Sequence, residues 1–214
     1  ADYAAGNFKN ALQLFYRANE YNQQLQTNAA IKNIASNYWY IGRIYNKQAF
    51  YDKALNAFDS SYQLYELTGD EFMMAYNNNE IGKVYYNLSR YAQSKAMHLN
   101  AYETMMRLEK WDNAGYSKSM LGSNLEMENK IDSSIAAHTE SIVLRRKADN
   151  KEGQAFSWKT LGKLYERTGQ KIQSLEAYDS AAFFYAAISD SAEQAQNLLN
   201  IGKVHENDKD FRKA

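Results

Sequence analysis

The sequence contains no cysteine and no proline, and its charges cancel: 25 Lys and Arg stand against 25 Asp and Glu in 214 residues. Without cysteine there can be neither disulfides nor thiolate metal sites, and the redox compartment leaves no trace. Without proline nothing of that kind interrupts a helical hydrogen-bond ladder, which fits a chain that is nearly all helix. A balanced charge supplies no long-range field for nucleic acid or an anionic membrane, so neither is an expected partner and charge-driven recognition has to come from local patterning. No apolar run approaches the roughly 20 residues that cross a bilayer. The start, Ala1-Asp2-Tyr3, shows neither an initiator Met nor a signal-peptide pattern and reads as cut or processed.

Against these absences, 45% of the residues are hydrophobic and 14% aromatic, with 18 Tyr, enough to bury a continuous core between stacked helices and to argue against disorder. An apolar-Gly pair recurs every 40 residues as Ile41-Gly42, Ile81-Gly82, Leu121-Gly122, Leu161-Gly162 and Ile201-Gly202. A fixed period of that size marks a stacked repeat array and a single elongated domain. Three residues past the glycine stand Tyr45, Tyr85, Leu125, Tyr165 and His205; twelve past it stand Ala54, Ser94, Ser134, Ser174 and Ala214. Four residues further come Phe58, His98, His138 and Tyr178. The glycines and small residues are expected to let paired helices approach closely, and the rings to fill the space between one repeat and the next. Leucine in place of Gly122 is therefore expected to cost more than at Gly153, which lies outside the ladder.

Between consecutive glycines there is room for two helices of about 17 residues and two short turns. First helices are predicted near 29–47, 71–88, 111–128, 151–168 and 191–207, and second helices near 51–67, 91–108, 131–147 and 171–188. Thr68-Gly69-Asp70, Asp149-Asn150 and Ser189-Asp190 mark turns, with Asp70, Asn150 and Asp190 as N-caps, and Thr168-Gly169 closes a helix. Residues 6–12 align with 169–175, so a second helix of an earlier repeat is expected from Phe8 to about Leu25, preceded by a remnant over residues 1–5. Three extra residues fall near Gln26 to Asn28. Residues 210–214 match the first turn of a second helix. The expected division is a partial repeat over 1–28, full repeats over 29–68, 69–108, 109–148 and 149–188, and a partial repeat over 189–214, all within one domain that forms a fragment of a longer protein.

An aromatic three residues before Leu-Gly, a Tyr three after it, and small and aromatic residues on the second helix resemble the tetratricopeptide repeat. Trp158-Lys159-Thr160-Leu161-Gly162-Lys163-Leu164-Tyr165 is the nearest match to its Trp-x-x-Leu-Gly-x-x-Tyr pattern, with Tyr38 standing for the Trp in the first full repeat and Asn78 and Lys118 departing from it. The closing proline of that family is missing, and the repeat is longer than its usual length of about 34 residues. The resemblance implies an all-α fold, a right-handed superhelix of antiparallel helix pairs. It also implies a non-enzymatic role in binding a protein or peptide, as the recognition or sensor segment of a larger bacterial regulator such as a histidine kinase or transcription factor. An architectural spacer that self-associates through its repeat ends is the alternative, which leaves a homo-oligomer open. The fold by itself does not choose between them.

No cofactor or metal is expected. Gly82-Lys83, Gly162-Lys163 and Gly202-Lys203 resemble the end of a phosphate-binding loop, but Asn77, Ser157 and Asn197 occupy the place of its upstream glycine. His98, His138 and His205 lack metal-ligand spacing, and the first two occupy the site of a packed aromatic. Asn87-Leu88-Ser89 fits a glycosylation acceptor but lies at a helix end and is assigned no role.

The informative pattern lies on the first helices, which line the concave groove in the family this chain resembles. One residue past each glycine stand Arg43, Lys83, Ser123, Lys163 and Lys203, a ladder basic in four of five repeats. Four residues before it stand Trp39, Asn79, Ser119, Lys159 and Leu199, and three further back Tyr76, Tyr116 and Phe156. Helical spacing puts each set on one stripe, and aromatic edges beside donors suit an extended peptide or partner helix. A solvated face neutralised by Lys163–Glu166 and Lys203–Glu206 pairs would produce the same pattern. Lys159 and Lys163 also resemble half of the clamp by which some tetratricopeptide domains hold a C-terminal carboxylate, although Met120 stands nearest the place of its asparagine.

Overall fold

The computed structural model describes residues 8–25 and 27–211, and among them ten α-helices and no strand. These are α1 (Phe8–Gln23), α2 (Asn28–Lys47), α3 (Tyr51–Leu67), α4 (Glu71–Asn87), α5 (Tyr91–Arg107), α6 (Trp111–Met127), α7 (Ile131–Lys147), α8 (Lys151–Arg167), α9 (Lys171–Ala187) and α10 (Ser191–Phe211). From α3 to α9 each helix has 17 residues. The 40-residue period is therefore two helix-and-turn units of equal length.

Each turn is closed the same way. A left-handed residue recurs at Ala49, Gly69, Ser89, Glu109, Asn129, Asp149, Gly169 and Ser189, with φ from 52 to 72°. The amide of the following residue donates back to a carbonyl five residues earlier, as in Arg90 to Tyr85 (2.8 Å) and Gln170 to Tyr165 (2.8 Å). This pairing satisfies carbonyls that the helix end would leave orphaned. Gly69 and Gly169 adopt that conformation without a Cβ penalty. The expected N-caps form: the side chains of Asp70, Asn150 and Asp190 accept from the amides of Met73 (3.2 Å), Gly153 (2.7 Å) and Glu193 (3.1 Å).

Two local expectations change. The three extra residues do not form a wider loop but lengthen α2 to 20 residues, its start capped by the Thr27 hydroxyl accepting from the Ala30 amide at 3.1 Å. Gln26 itself lies outside the described residues. At the other end α10 continues to Phe211 where a turn and a new helix were expected. Lys209 occupies the place of the left-handed turn residue, and no following described helix packs back to favour it there. The remnant over residues 1–5, the register match at Gly6 and Asn7, and residues 212–214 lie outside the described residues.

The chain divides into two compact units, Ala1–Leu108 and Glu109–Ala214, at the boundary between two expected repeats. Within the first unit α2 packs on α3 and α4 on α5; within the second α6 packs on α7 and α8 on α9. The paired helices are held at contact distance by ring on glycine. A Cβ built on Gly42 would lie 2.7 Å from the Phe58 ring, on Gly82 2.8 Å from His98, on Gly122 2.8 Å from His138, and on Gly162 2.6 Å from Tyr178. The rings thus cover the glycine of their own repeat, and Phe58 also meets Val84 of the next one in a common cluster with Trp39 and Ala54. Ser134 and Ser174 donate to the carbonyls of Gly122 and Gly162, both at 2.9 Å.

First helices of neighbouring repeats are tied at both ends, at matching positions in the two units. Lys32 pairs with Asp70 (2.8 Å) and Asn87 donates to Asn46 (3.1 Å) in the first unit. In the second, Asn150 donates to Asp112 (2.5 Å) and Arg167 reaches Glu126 (3.3 Å) and Asn129 (2.9 Å). Along a buried polar stripe, Asn77, Ser117 and Asn197 each donate to the carbonyl four residues back.

The glycine contact leads to an internal comparison. Gly162→Ala should cost about 1–3 kcal/mol by overpacking against Tyr178, whereas Gly202→Ala, with nothing within 4 Å of the new Cβ, should be neutral or stabilise by up to about 1 kcal/mol through helix propensity. Urea unfolding of both variants measures the difference, and equal costs would remove the glycine from its packing role.

Candidate functional site

The stripe of Trp39, Asn79 and Ser119 is buried, at 7%, 3% and 1% exposure, and so presents almost no surface to a ligand. The cause is the ring sixteen residues past each glycine. Trp39 joins the Phe58 cluster. Asn79 meets Nδ1 of His98 at 2.9 Å, and Ser119 meets Nδ1 of His138 at 3.3 Å. A histidine set against a backbone needs a polar neighbour, and this position provides it. Leu199, in the same register, is half exposed.

The remaining predicted residues reach the surface to differing extents. In the first unit the Arg43 guanidinium lies 4.6 Å from the Trp39 ring, which meets Tyr76 at 5.5 Å. Tyr76 is half-buried and Lys83 exposed. Both cations act on Glu80: burial pushes its carboxyl up, against the opposite pull of Lys83 and Arg43.

In the second unit Tyr116 and Ser123 are half-buried, and the Ser123 hydroxyl folds back to the Ser119 carbonyl at 3.3 Å. Phe156 is 42% exposed. Lys159 crosses to α10 and pairs with Glu193 at 2.9 Å, 5.6 Å from the Tyr185 ring and 5.9 Å from Phe156. Burial pulls its ammonium down, but the hydrogen bond to Glu193, with Tyr185 and the Glu193 charge, outweighs this and leaves it above the ordinary lysine value. Lys163 and Lys203 are exposed and make no ion pair among the described residues. The expected pairing of Lys163 with Glu166 does not close; Glu166 instead accepts the Tyr178 hydroxyl at 2.9 Å.

A buried charge escaped the sequence reading. Arg145, at 5% exposure, stands where the other second helices place Tyr65, Met105 and Tyr185. It donates to the Gly153 carbonyl (2.5 Å) and the Ser157 hydroxyl (3.3 Å), while Ser141 meets Ser157 (3.2 Å) and donates to the Gly115 carbonyl (2.7 Å). A Cβ on Gly115 would lie 2.7 Å from Arg145 Cγ, and one on Gly153 2.5 Å from Cδ. Gly115 and Gly153, two helical glycines outside the 40-residue ladder, therefore admit this side chain, and Gly153 is packed as closely as Gly122, against the expectation that substitution there costs less. Burial lowers the guanidinium's pKa, with Asp112 pulling the other way. Two glycines beside an Arg at these offsets were the available signal. Among the described residues no group of three or more acidic, His or Cys side chains is placed to hold a metal ion, and no helix is long and apolar enough to cross a membrane.

No protein-family profile and no curated protein sequence matches the chain. Solved structures do. BtubC from P. vanneervenii superposes with a TM-score of 0.83 at 15% identity, covering 97% of this chain and 86% of that one. The STAND protein with a tetratricopeptide repeat sensor, PH0952 from Pyrococcus horikoshii, gives 0.78 at 15% identity over 94% of this chain and 30% of that one. A Rap protein complexed with Competence and Sporulation Factor gives 0.68 at 16% identity over 91% of this chain. The chain spans 54% of the Rap protein's length.

Two measurements follow from the buried polar layer. Burial lowers His98 to about 3, and burial with the Arg145 charge lowers His138 to about 4, both below the ordinary 6.5. The unfolded chain then binds more protons, so stability is fully present above about pH 6.5 and is lost as pH falls toward the folded values, on the order of 1 kcal/mol per pH unit for each histidine. The double variant His98→Phe, His138→Phe should flatten that slope in urea melts between pH 7 and pH 4; an unchanged slope would place the acid sensitivity elsewhere. Separately, Gly153→Ala should cost about 1–3 kcal/mol. In an Arg145→Ala background most of that cost should vanish, and additive effects of the two changes would dissociate the pair.

Proposed function

We propose that this chain, an all-α solenoid of the tetratricopeptide type in its fold, is a protein-interaction domain that takes an acidic peptide or partner segment on its first-helix face. The observation that carries this is in the second unit: Lys163 and Lys203 stand at equivalent positions of α8 and α10, exposed and without a carboxylate, and Phe156 lies on the same helix as Lys163 at 42% exposure. Unpaired ammonium groups beside an aromatic surface suit alternating acidic and apolar side chains. Lys159 is held by Glu193 and so orients the face rather than offering a free charge. In the first unit Arg43 and Lys83 supply cations and Tyr76 an aromatic ring on α2 and α4; in the second, Tyr116 and Ser123 supply polar groups on α6. The Rap protein's complex with its factor and the sensor role named for the STAND protein support a recognition segment of a larger regulatory protein, for which a histidine kinase or transcription regulator is the proposed context.

A Lys163→Glu, Lys203→Glu variant should lose capture of acidic peptides from a random library at moderate salt, at least tenfold, since desolvated charge-assisted contacts contribute about 1.5–3 kcal/mol each. Helicity and melting should stay as in the wild type. If the variant and the wild type select the same peptides, the face is only a solvated surface.

A further inference from the structure

A recess lies where α2 meets α1 and α3. It has a volume of about 280 Å³ and is lined by Tyr16, Tyr38, Tyr45, Lys53, Asn56, Ala57 and Ser60. A bond that crosses the matching space in two other repeats is missing here. In the next repeat Asn78 donates across to Asn100 at 2.7 Å, and in the second unit Lys118 pairs with Glu140 at 2.8 Å, each joining a first helix to the residue 22 positions on. The same position after Tyr38 is Ser60, whose hydroxyl turns back to the Asn56 carbonyl at 2.9 Å. The crossing bond is not made, and the space between the two side chains stays open.

The lining is rich in donors. The hydroxyls of Tyr16 and Tyr45 lie 3.5 Å apart, and burial, with Tyr45 next, pushes the Tyr16 phenol up to about 12, so it stays protonated at neutral pH. Lys53 stands at the rim, its ammonium 5.6 Å from the Tyr45 ring and 5.3 Å from Phe50, with no ion pair among the described residues. Hydroxyl donors, one unpaired cation and aromatic walls call for an acceptor carrying negative charge and a flat or apolar body. The volume is at the small end for ligand sites, which suits one side chain or a small acid.

We propose that this recess binds a carboxylate, with Lys53 as its counter-charge and the tyrosine hydroxyls as its donors. The carboxylate comes either from a free organic acid or from an acidic side chain of a bound peptide. This site is separate from the first-helix face and does not depend on what that face binds.

The test is an NMR titration following the ring signals of Tyr16, Tyr38 and Tyr45. Benzoate represents the free acid, acetyl-Gly-Glu-Gly-amide the acidic side chain, and benzamide the neutral isostere. Saturable shifts with either acid at millimolar concentration, absent with benzamide, are expected; which acid binds more tightly identifies the source. Lys53→Met keeps the exposed stem and should weaken binding about tenfold, the size of one charge-assisted contact. Tyr38→Asn with Ser60→Asn rebuilds the bond that Asn78 makes with Asn100 and should abolish binding while leaving the fold intact, as read from amide signals. An equal response to benzamide, shifts unchanged by Lys53→Met, or no saturable shift with either acid overturns the proposal.

Discussion

A ring pressed on a glycine is the contact from which the rest of each repeat follows. With a Cβ position 2.6–2.8 Å from the ring, the two helices of a pair are as close as side-chain packing allows, and overpacking by one methyl has nowhere to go. What the ring is then decides what its neighbours must be. Phe58 is apolar and packs with Trp39. His98 and His138 are polar, and each draws a buried partner, Asn79 or Ser119, from the same stripe. Tyr178 carries its polar atom at the far end and satisfies it on Glu166. Position 159 is thereby released for a lysine, and Glu166 is taken from Lys163. The uncompensated charge on α8 is thus a consequence of which ring covers Gly162.

Arg145 shows the same logic applied once and out of register. A guanidinium in a position that elsewhere holds Tyr or Met cannot be left without acceptors, because an unsatisfied buried charge costs more than the packing gains. Two helices make room for it and give one of its nitrogens two acceptors: Gly115 and Gly153 lack side chains in its path, and the Gly153 carbonyl and Ser157 accept from Nη1. Its stem lies against Gly115 and Gly153. No carboxylate closes on it among the described residues, which sets the second unit apart from a simple copy of the first.

Much of this was legible in the one-dimensional pattern. The 40-residue recurrence of apolar-Gly, the small residues twelve positions on, and the caps Asp70, Asn150 and Asp190 are properties of single residues at fixed spacings, and they define the helices to within a residue or two at most boundaries. The turns at Ala49, Ser89 and Glu109 carry no such mark, because non-glycine residues take the left-handed conformation there. The candidate face was legible only as a periodicity. Helical spacing aligns Trp39, Asn79 and Ser119 as well as it aligns Lys163 and Lys203, and it does not say which stripe turns toward a neighbouring helix.

The sequence by itself therefore determined the repeat, its length, the position of every glycine that a ring must cover, and the types of residue on each stripe, since these depend on spacing and side-chain volume alone. Only the tertiary structure decided which stripes are buried, that Glu166 serves Tyr178 rather than Lys163, that Gly153 is reserved for Arg145, and that the space beside Tyr38 is left open. Each of these is a choice between partners dozens of residues or a whole helix apart, settled by distances of a few ångströms that no periodicity encodes.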